Sequence, residues 1–172
     1  MKSKEIKELV VRATERDAEA FTGLMQYFMK DMYRTAIAIL RNSEDAAGAM
    51  QDTVLACWEK IGSLREARYF KTWMTRVLIN KCYDIQKQRI DKVSMDECEE
   101  LAADDDDSLR ELQEVLDVLE ERYRLPLMLF YGEGYKIREI AQILDISQST
   151  VQTRLSRGRA KLAAYYEDRE DA

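Results

Sequence analysis

The chain contains no histidine. The commonest general base and a leading metal ligand are therefore missing. Neither GxGxxG nor GxxxxGKS/T occurs, so no glycine-rich phosphate cradle can be assigned. Ser, Cys and Lys stand in no recognisable nucleophile motif. The chain is expected not to be an enzyme, and to hold no metal, cofactor or small-molecule substrate. Cysteines are few: Cys57, Cys82 and Cys98, an odd number with no CxxC pair. That excludes a disulfide framework or zinc site as the organising feature and reads as reduced thiols in a cytoplasmic protein. No apolar run approaches the ~20 residues of a membrane span, and none at the N-terminus resembles a signal peptide. Only one proline and six glycines are present among 172 residues. With Leu, Ala, Glu, Lys, Arg and Met plentiful, that scarcity favours helices, and 46% apolar residues can build a core.

Charge is unevenly placed. The net charge is −6, yet residues 1–90 carry +4, residues 91–121 carry −12 and residues 122–172 carry +2. One short segment supplies the whole negative excess. Its core, "DECEELAADDDD", has no apolar period and repels itself in water. Residues 91–108 are expected to be a flexible acidic linker between two small all-α domains, 1–90 and 109–172.

Apolar periodicity places the helices. Residues 4–14 put Ile6, Leu9, Val10 and Ala13 on one face. From Asp17 to about Leu40 the stripe is Phe21, Leu24, Met25, Phe28, Met29, Met32, Ala36, Ile37 and Leu40. Asn42 and Ser43 suit a turn or N-cap. A third helix, 44–60, is expected to bury Ala47, Met50, Val54, Cys57 and Trp58. After a loop at Gly62, a fourth, 68–89, has Phe70, Trp73, Met74, Val77, Leu78 and Ile85 at helical spacing. In the second half, Leu109, Leu112, Leu116 and Leu119 open a helix, and Pro126 should start or kink one that ends near Gly132–Gly134.

Two short stripes follow: Ile137, Ile140, Ala141, Leu144, and then Val151, Leu155, Gly158, Leu162. Asp145 tolerates the left-handed backbone of a tight turn, and Ser147 is a good N-cap. Two short helices joined this way form a helix-turn-helix. Its second helix would point Ser149, Thr150, Gln152, Thr153, Ser156 and Arg157 outward, with Arg154 on the flank. Arg159 and Lys161 continue the basic run, and no acid lies between Ser147 and Tyr166. Hydroxyls and amides suit base edges; cations suit phosphate. A second basic stretch, residues 65–92, carries +5 and interleaves Tyr69, Phe70, Trp73 and Tyr83. Rings and cations together suit single-stranded nucleic acid, although Phe70 and Trp73 also lie on the core stripe.

Both halves resemble one family. "SEDAAGAMQDTVLACWEKI" with "FKTWMTRVLINKCYDIQKQR" resembles the second conserved region of the extracytoplasmic-function sigma factors of the sigma-70 family. "LEERYRLPLMLFYGEGYKIREIAQILDISQSTVQTRLSRGRAKL" resembles their fourth region. The resemblance implies a dissociable initiation subunit of bacterial RNA polymerase. It implies docking of the first domain on the β′ clamp helices, with opening of the promoter −10 element. It places the second domain on the β flap, reading the −35 element as duplex. By position in the motifs, Asp45, Gln51 and Asp52 fall in the polymerase-facing stretch. Arg65, Arg68, Tyr69 and Phe70 fall in the loop that captures a flipped −10 base. Beside it lie Lys71, Trp73, Arg76, Asn80, Lys81 and Asp84. Ser149, Thr150, Gln152, Thr153, Arg154, Arg157 and Arg159 fall in the −35 reader. Gly48 stands where the family usually has an acid, and Gln152 where Lys is common. An anti-sigma factor, usually linked to the membrane, is the further partner implied.

From the residues alone, two other readings stay open. One is a free-standing helix-turn-helix regulator whose first domain senses or dimerises. The other is a helical interaction protein without a nucleic-acid role.

Overall fold

The computed structural model describes residues 1–91, 114 and 117–171. They form two compact units, one on each side of the undescribed segment. The expected acidic linker lies outside the described residues, apart from Asp91. So do Leu109, Leu112 and Leu116.

The first unit contains α1 (Ser3–Thr14), α2 (Ala18–Leu40), α3 (Ser43–Lys60) and α4 (Phe70–Asp91). Two 3-10 turns, Ile61–Ser63 and Ala67–Tyr69, join α3 to α4. Helix starts follow local chemistry. The Asp17 carboxylate accepts the Ala20 N–H at 3.1 Å and so caps α2. That bond, reinforced by the Arg12 guanidinium at 2.8 Å, holds Asp17 below its ordinary value of 3.8. Asn42 caps α3 by accepting the Asp45 N–H at 2.9 Å. The end of α3 is closed from a distance. Arg16, in left-handed backbone at φ 70°, donates to the Trp58 carbonyl and, at 3.2 Å, to that of Glu59. A cation there satisfies orphan carbonyls at the negative end of the helix.

Helix α2 is the central post, packed on α1, α3 and α4. It buries Phe21, Leu24, Met25, Phe28 and Met32 on one face, and Thr35 to Leu40 on every side. Met29, expected in that stripe, is 51% exposed at its edge. The phase of α3 also differs from expectation. Ala46, Ala49, Thr53, Ala56 and Cys57 face inward; Ala47 is exposed, and Met50, Val54 and Trp58 are half-buried. Small side chains let α3 lie close to its neighbours, which turns larger residues, Leu55 among them, outward. In α4, Phe70, Met74, Leu78, Ile79 and Cys82 are buried, whereas Trp73, Val77 and Ile85 are only half so. Cys57 and Cys82 are buried thiols. Burial pushes Cys57 up to about 12, so it stays a neutral, inert thiol at physiological pH.

The second unit contains α5 (Glu121–Leu127), α6 (Ile137–Leu144) and α7 (Gln148–Glu170). Pro126 does not start α5; the helix begins five residues earlier and carries the proline inside. Directly afterwards the coil widens to a π-turn over Met128–Gly132. Such widening accommodates a disturbed hydrogen-bond ladder. The helix then stops where expected: Gly134 takes φ 72°, and the Tyr135 N–H reaches back to the Leu129 carbonyl at 3.0 Å. Leu119, Tyr123, Leu125, Leu127, Leu129, Ile140, Ile143, Val151 and Leu155 make the core.

Helix α5 crosses α7 at Gly158. A Cβ there would stand 2.7 Å from Leu127 Cδ1 and 3.3 Å from Tyr123 Cβ, both in buried residues. Gly158→Val should therefore destabilise the second unit by about 2 kcal/mol or more through overpacking. Hydrogen exchange should show that loss in α5 and α7, with protection in α2 unchanged.

Candidate nucleic-acid interface

The second unit holds the expected helix-turn-helix in α6 and α7. Asp145 takes the left-handed turn position at φ 54°, and its N–H bonds the Ala141 carbonyl. Ser147 caps α7, its Oγ accepting the Thr150 N–H at 3.1 Å. Val151, Leu155 and Gly158 face the core, which fixes the rotation of α7. Ser149, Gln152, Thr153, Ser156 and Arg157 are consequently exposed on the opposite face. Ser149 to Arg157 covers about 12 Å of helix, close to the width of a B-DNA major groove.

Other members of the expected set are engaged within the unit. The hydroxyls of Ser149 and Thr150 lie 3.0 and 2.8 Å from Ser147 Oγ, so both share the cap network. Thr150 and Arg154 are half-buried on one flank. On the other flank, Arg159 donates to the Tyr131 hydroxyl at 3.0 Å. Lys161 pairs with Glu120 at 3.2 Å and lies 4.9 Å from the Tyr123 ring centre. The hydrogen bond from Lys161, then the Arg122 charge, holds the Glu120 carboxyl below its ordinary value. Beside α7 is an opening of about 300 Å³ lined by Arg122 and Tyr123 of α5 together with α7 residues. Sequence reasoning missed Arg122. It sits among acids in "LEERYR", and only the packing of α5 on α7 brings it to the reading helix.

The first unit offers a loop and a helix face. Arg65, Arg68 and Tyr69 are exposed in the loop before α4. Arg68 pairs with Glu66 at 2.6 Å and lies 4.7 Å from the Tyr69 ring centre. Tyr69 is 48% exposed, and its neighbour Phe70 is 1% exposed. Phe70, expected in the capture loop, is buried: its ring packs 6.0 Å from those of Phe28 and Trp73 and supports the loop from the core. Trp73 begins an outward stripe along α4 with Arg76, Asn80 and Asp84, all three exposed. Lys71 and Lys81 are half-buried at its sides, with Lys71 3.7 Å from Asp31. Outside the core, the ring–cation mixture is then Tyr69, Tyr83 and half-buried Trp73 with Arg65, Arg68 and Arg76.

On α3, Gln51 and Asp52 are exposed on one face with Leu55, which is 64% exposed. Asp45 is elsewhere engaged. It forms an ion pair with Arg89 of α4, whose guanidinium also donates to the Leu40 carbonyl at 3.3 Å. With Gln86 donating to the Ile39 carbonyl at 3.1 Å, this clamp ties α4 to the end of α2. Asp45 therefore holds the unit together where Gln51 and Asp52 face outward.

The family Sigma-70 region 2 matches residues 24–89, and Sigma-70, region 4 matches residues 109–162. The RNA polymerase sigma factor SigV of Bacillus subtilis is 31% identical over 132 residues, 74% of this chain and 80% of that protein. The ECF RNA polymerase sigma factor SigM of Mycobacterium tuberculosis is 28% identical over 164 residues, 91% and 82% of the two chains. The chain belongs to the extracytoplasmic-function RNA polymerase sigma factors. Its fold is shared with CnrH, solved in complex with the cytosolic domain of CnrY, at a TM-score of 0.73 and 23% identity over 95% of this chain and 98% of that one. It is shared too with the sigma factor RpoE of Bartonella quintana, solved with the anti-sigma factor NepR, at 0.74 and 21% over 87% and 98%. Among the described residues, no helix is long and apolar enough to cross a membrane.

The adjacent rings of the loop separate core from surface. Phe70→Ala should cost about 3–5 kcal/mol of stability. Tyr69→Ala should change stability by less than about 0.5 kcal/mol while weakening single-stranded −10 DNA binding in the polymerase complex roughly tenfold. Thermal melts and fluorescence anisotropy measure the two effects.

Proposed function

We propose that this chain is a promoter-specificity subunit: it joins core RNA polymerase, captures an unstacked −10 base with the first unit, and reads the −35 duplex with α7. The observation that carries this is the single outward face of α7, where Gln152, Thr153, Ser156 and Arg157 stand exposed opposite a core-bound stripe. Support for −10 capture comes from Tyr69 and its cations, set on the rigid base that Phe70 provides. Docking on the β′ clamp helices is assigned to the α3 face of Gln51, Asp52 and Leu55, and the second unit is assigned to the β flap. Such a protein acts in the cytoplasm, where the polymerase is, and needs no catalytic group of its own. Domain limits of 1–90 and 109–172, with 91–108 as tether, complete the reading. An anti-sigma factor that covers the docking surfaces is the expected regulator.

Purified core polymerase tests this. Adding the chain should yield transcripts from a selected class of promoters, and Leu55→Asp should abolish them without lowering the melting temperature. Sequence-specific operator binding by the chain without polymerase, with no transcripts when core is added, would instead establish a free-standing regulator.

A further inference from the structure

The opening beside α7 holds more positive charge than a reading helix supplies alone. Three arginines line it: Arg122 from α5, and Arg154 and Arg157 from α7. Ser149, Thr150 and Thr153 add hydroxyls, and among the described residues no carboxylate lines it. The hydroxyls belong to the first two turns of a 23-residue helix, whose free N–H groups already favour an anion. Arg122 is set in place from two sides. Its guanidinium lies 4.8 Å from the centre of the Tyr123 ring, which the core holds still. Its Nε meets Glu120 at 2.9 Å. Glu120 offsets part of the Arg122 charge, and guanidinium groups match the oxygens of a phosphate.

We propose that this cradle takes a backbone phosphate of duplex DNA, and that Arg122 is a positioning contact contributed from outside the helix-turn-helix. The inference rests on the reading of α7 as the −35 helix. A phosphate gripped by two different helices fixes the rotation and depth of α7 in the groove, while carrying no base information itself. Arg122 therefore sets how Gln152 and Thr153 meet the bases without touching them.

The test uses core polymerase loaded with the full chain and two short duplexes. One carries a −35 sequence enriched from a random library by that same complex; the other is scrambled. Arg122→Ala should weaken both by the same factor, roughly three- to tenfold near 0.1 M salt, and lower the slope of log affinity against log salt by about one. Arg122→Lys keeps the charge and should restore most of the slope. Unchanged affinity and slope in Arg122→Ala overturn the proposal. So does a loss confined to the enriched duplex, which would make Arg122 a base reader. The −35 reading fails separately, by equal binding of the unsubstituted complex to both duplexes; a reduced slope in Arg122→Ala would then still uphold the phosphate site.

Discussion

One close approach governs the second unit: the bare backbone of α7 at Gly158 lying against Leu127 and Tyr123 of α5. With no side chain between them, the two helices come near enough to bury Val151 and Leu155 fully. That contact sets the rotation of α7, and the rotation decides which side chains are outward. A helix has only one such face, so fixing one side presents the other. The same approach carries Arg122 and Tyr123 to the flank of α7, where cations gather. Packing and recognition are therefore two consequences of one missing side chain.

In the first unit the comparable constraint is the division of labour along α3 and α4. Alanines on the inward face of α3 permit close packing, so residues of larger volume need not be spent inside. Leu55 then stands in water, an unfavourable place that a partner surface would relieve. At the head of α4, Phe70 is sunk in the core and Tyr69 remains at the surface. An adjacent pair of rings, one anchored and one free, is a stable mount for stacking on a base. The Asp45–Arg89 pair belongs to the same economy of roles, since it spends a surface acid on holding α4 to the junction of α2 and α3.

Much of this was legible in the residues because local chemistry marks helix ends strongly. Asn42 and Ser147 each cap the helix they precede, and Asp145 takes the left-handed turn that its side chain tolerates. The outward face of α7 followed from the spacing of Val151, Leu155 and Leu162, of which the first two are buried and Leu162 is half-buried. Phase failed in α3 because periodicity weighs large apolar residues over alanine, and there the alanines face inward. Pro126 was legible in part: a proline warns of a broken ladder, and here it sits inside α5 with π geometry directly after it. Phe70 was ambiguous because a ring at helical spacing fits either core or ligand, and only burial decides. Arg122 was out of reach, since nothing local says which later helix α5 will meet.

Several cations in each unit are tied to acids of the same unit. Arg68 is held by Glu66, and Lys161 by Glu120. Weak, salt-sensitive contacts of this kind become selective when a larger body holds both units near DNA, because the second contact then costs little additional entropy. The central claim is that the outward face of α7 reads bases in the major groove. Gln pairs best with adenine there and Lys with guanine. The most direct measurement is promoter selection from a library randomised at −35 and −10, using core polymerase with the unsubstituted chain and with Gln152→Lys. The account predicts a move from adenine toward guanine at one −35 position, with −10 preferences unchanged. Identical −35 preferences in the two selections would contradict it.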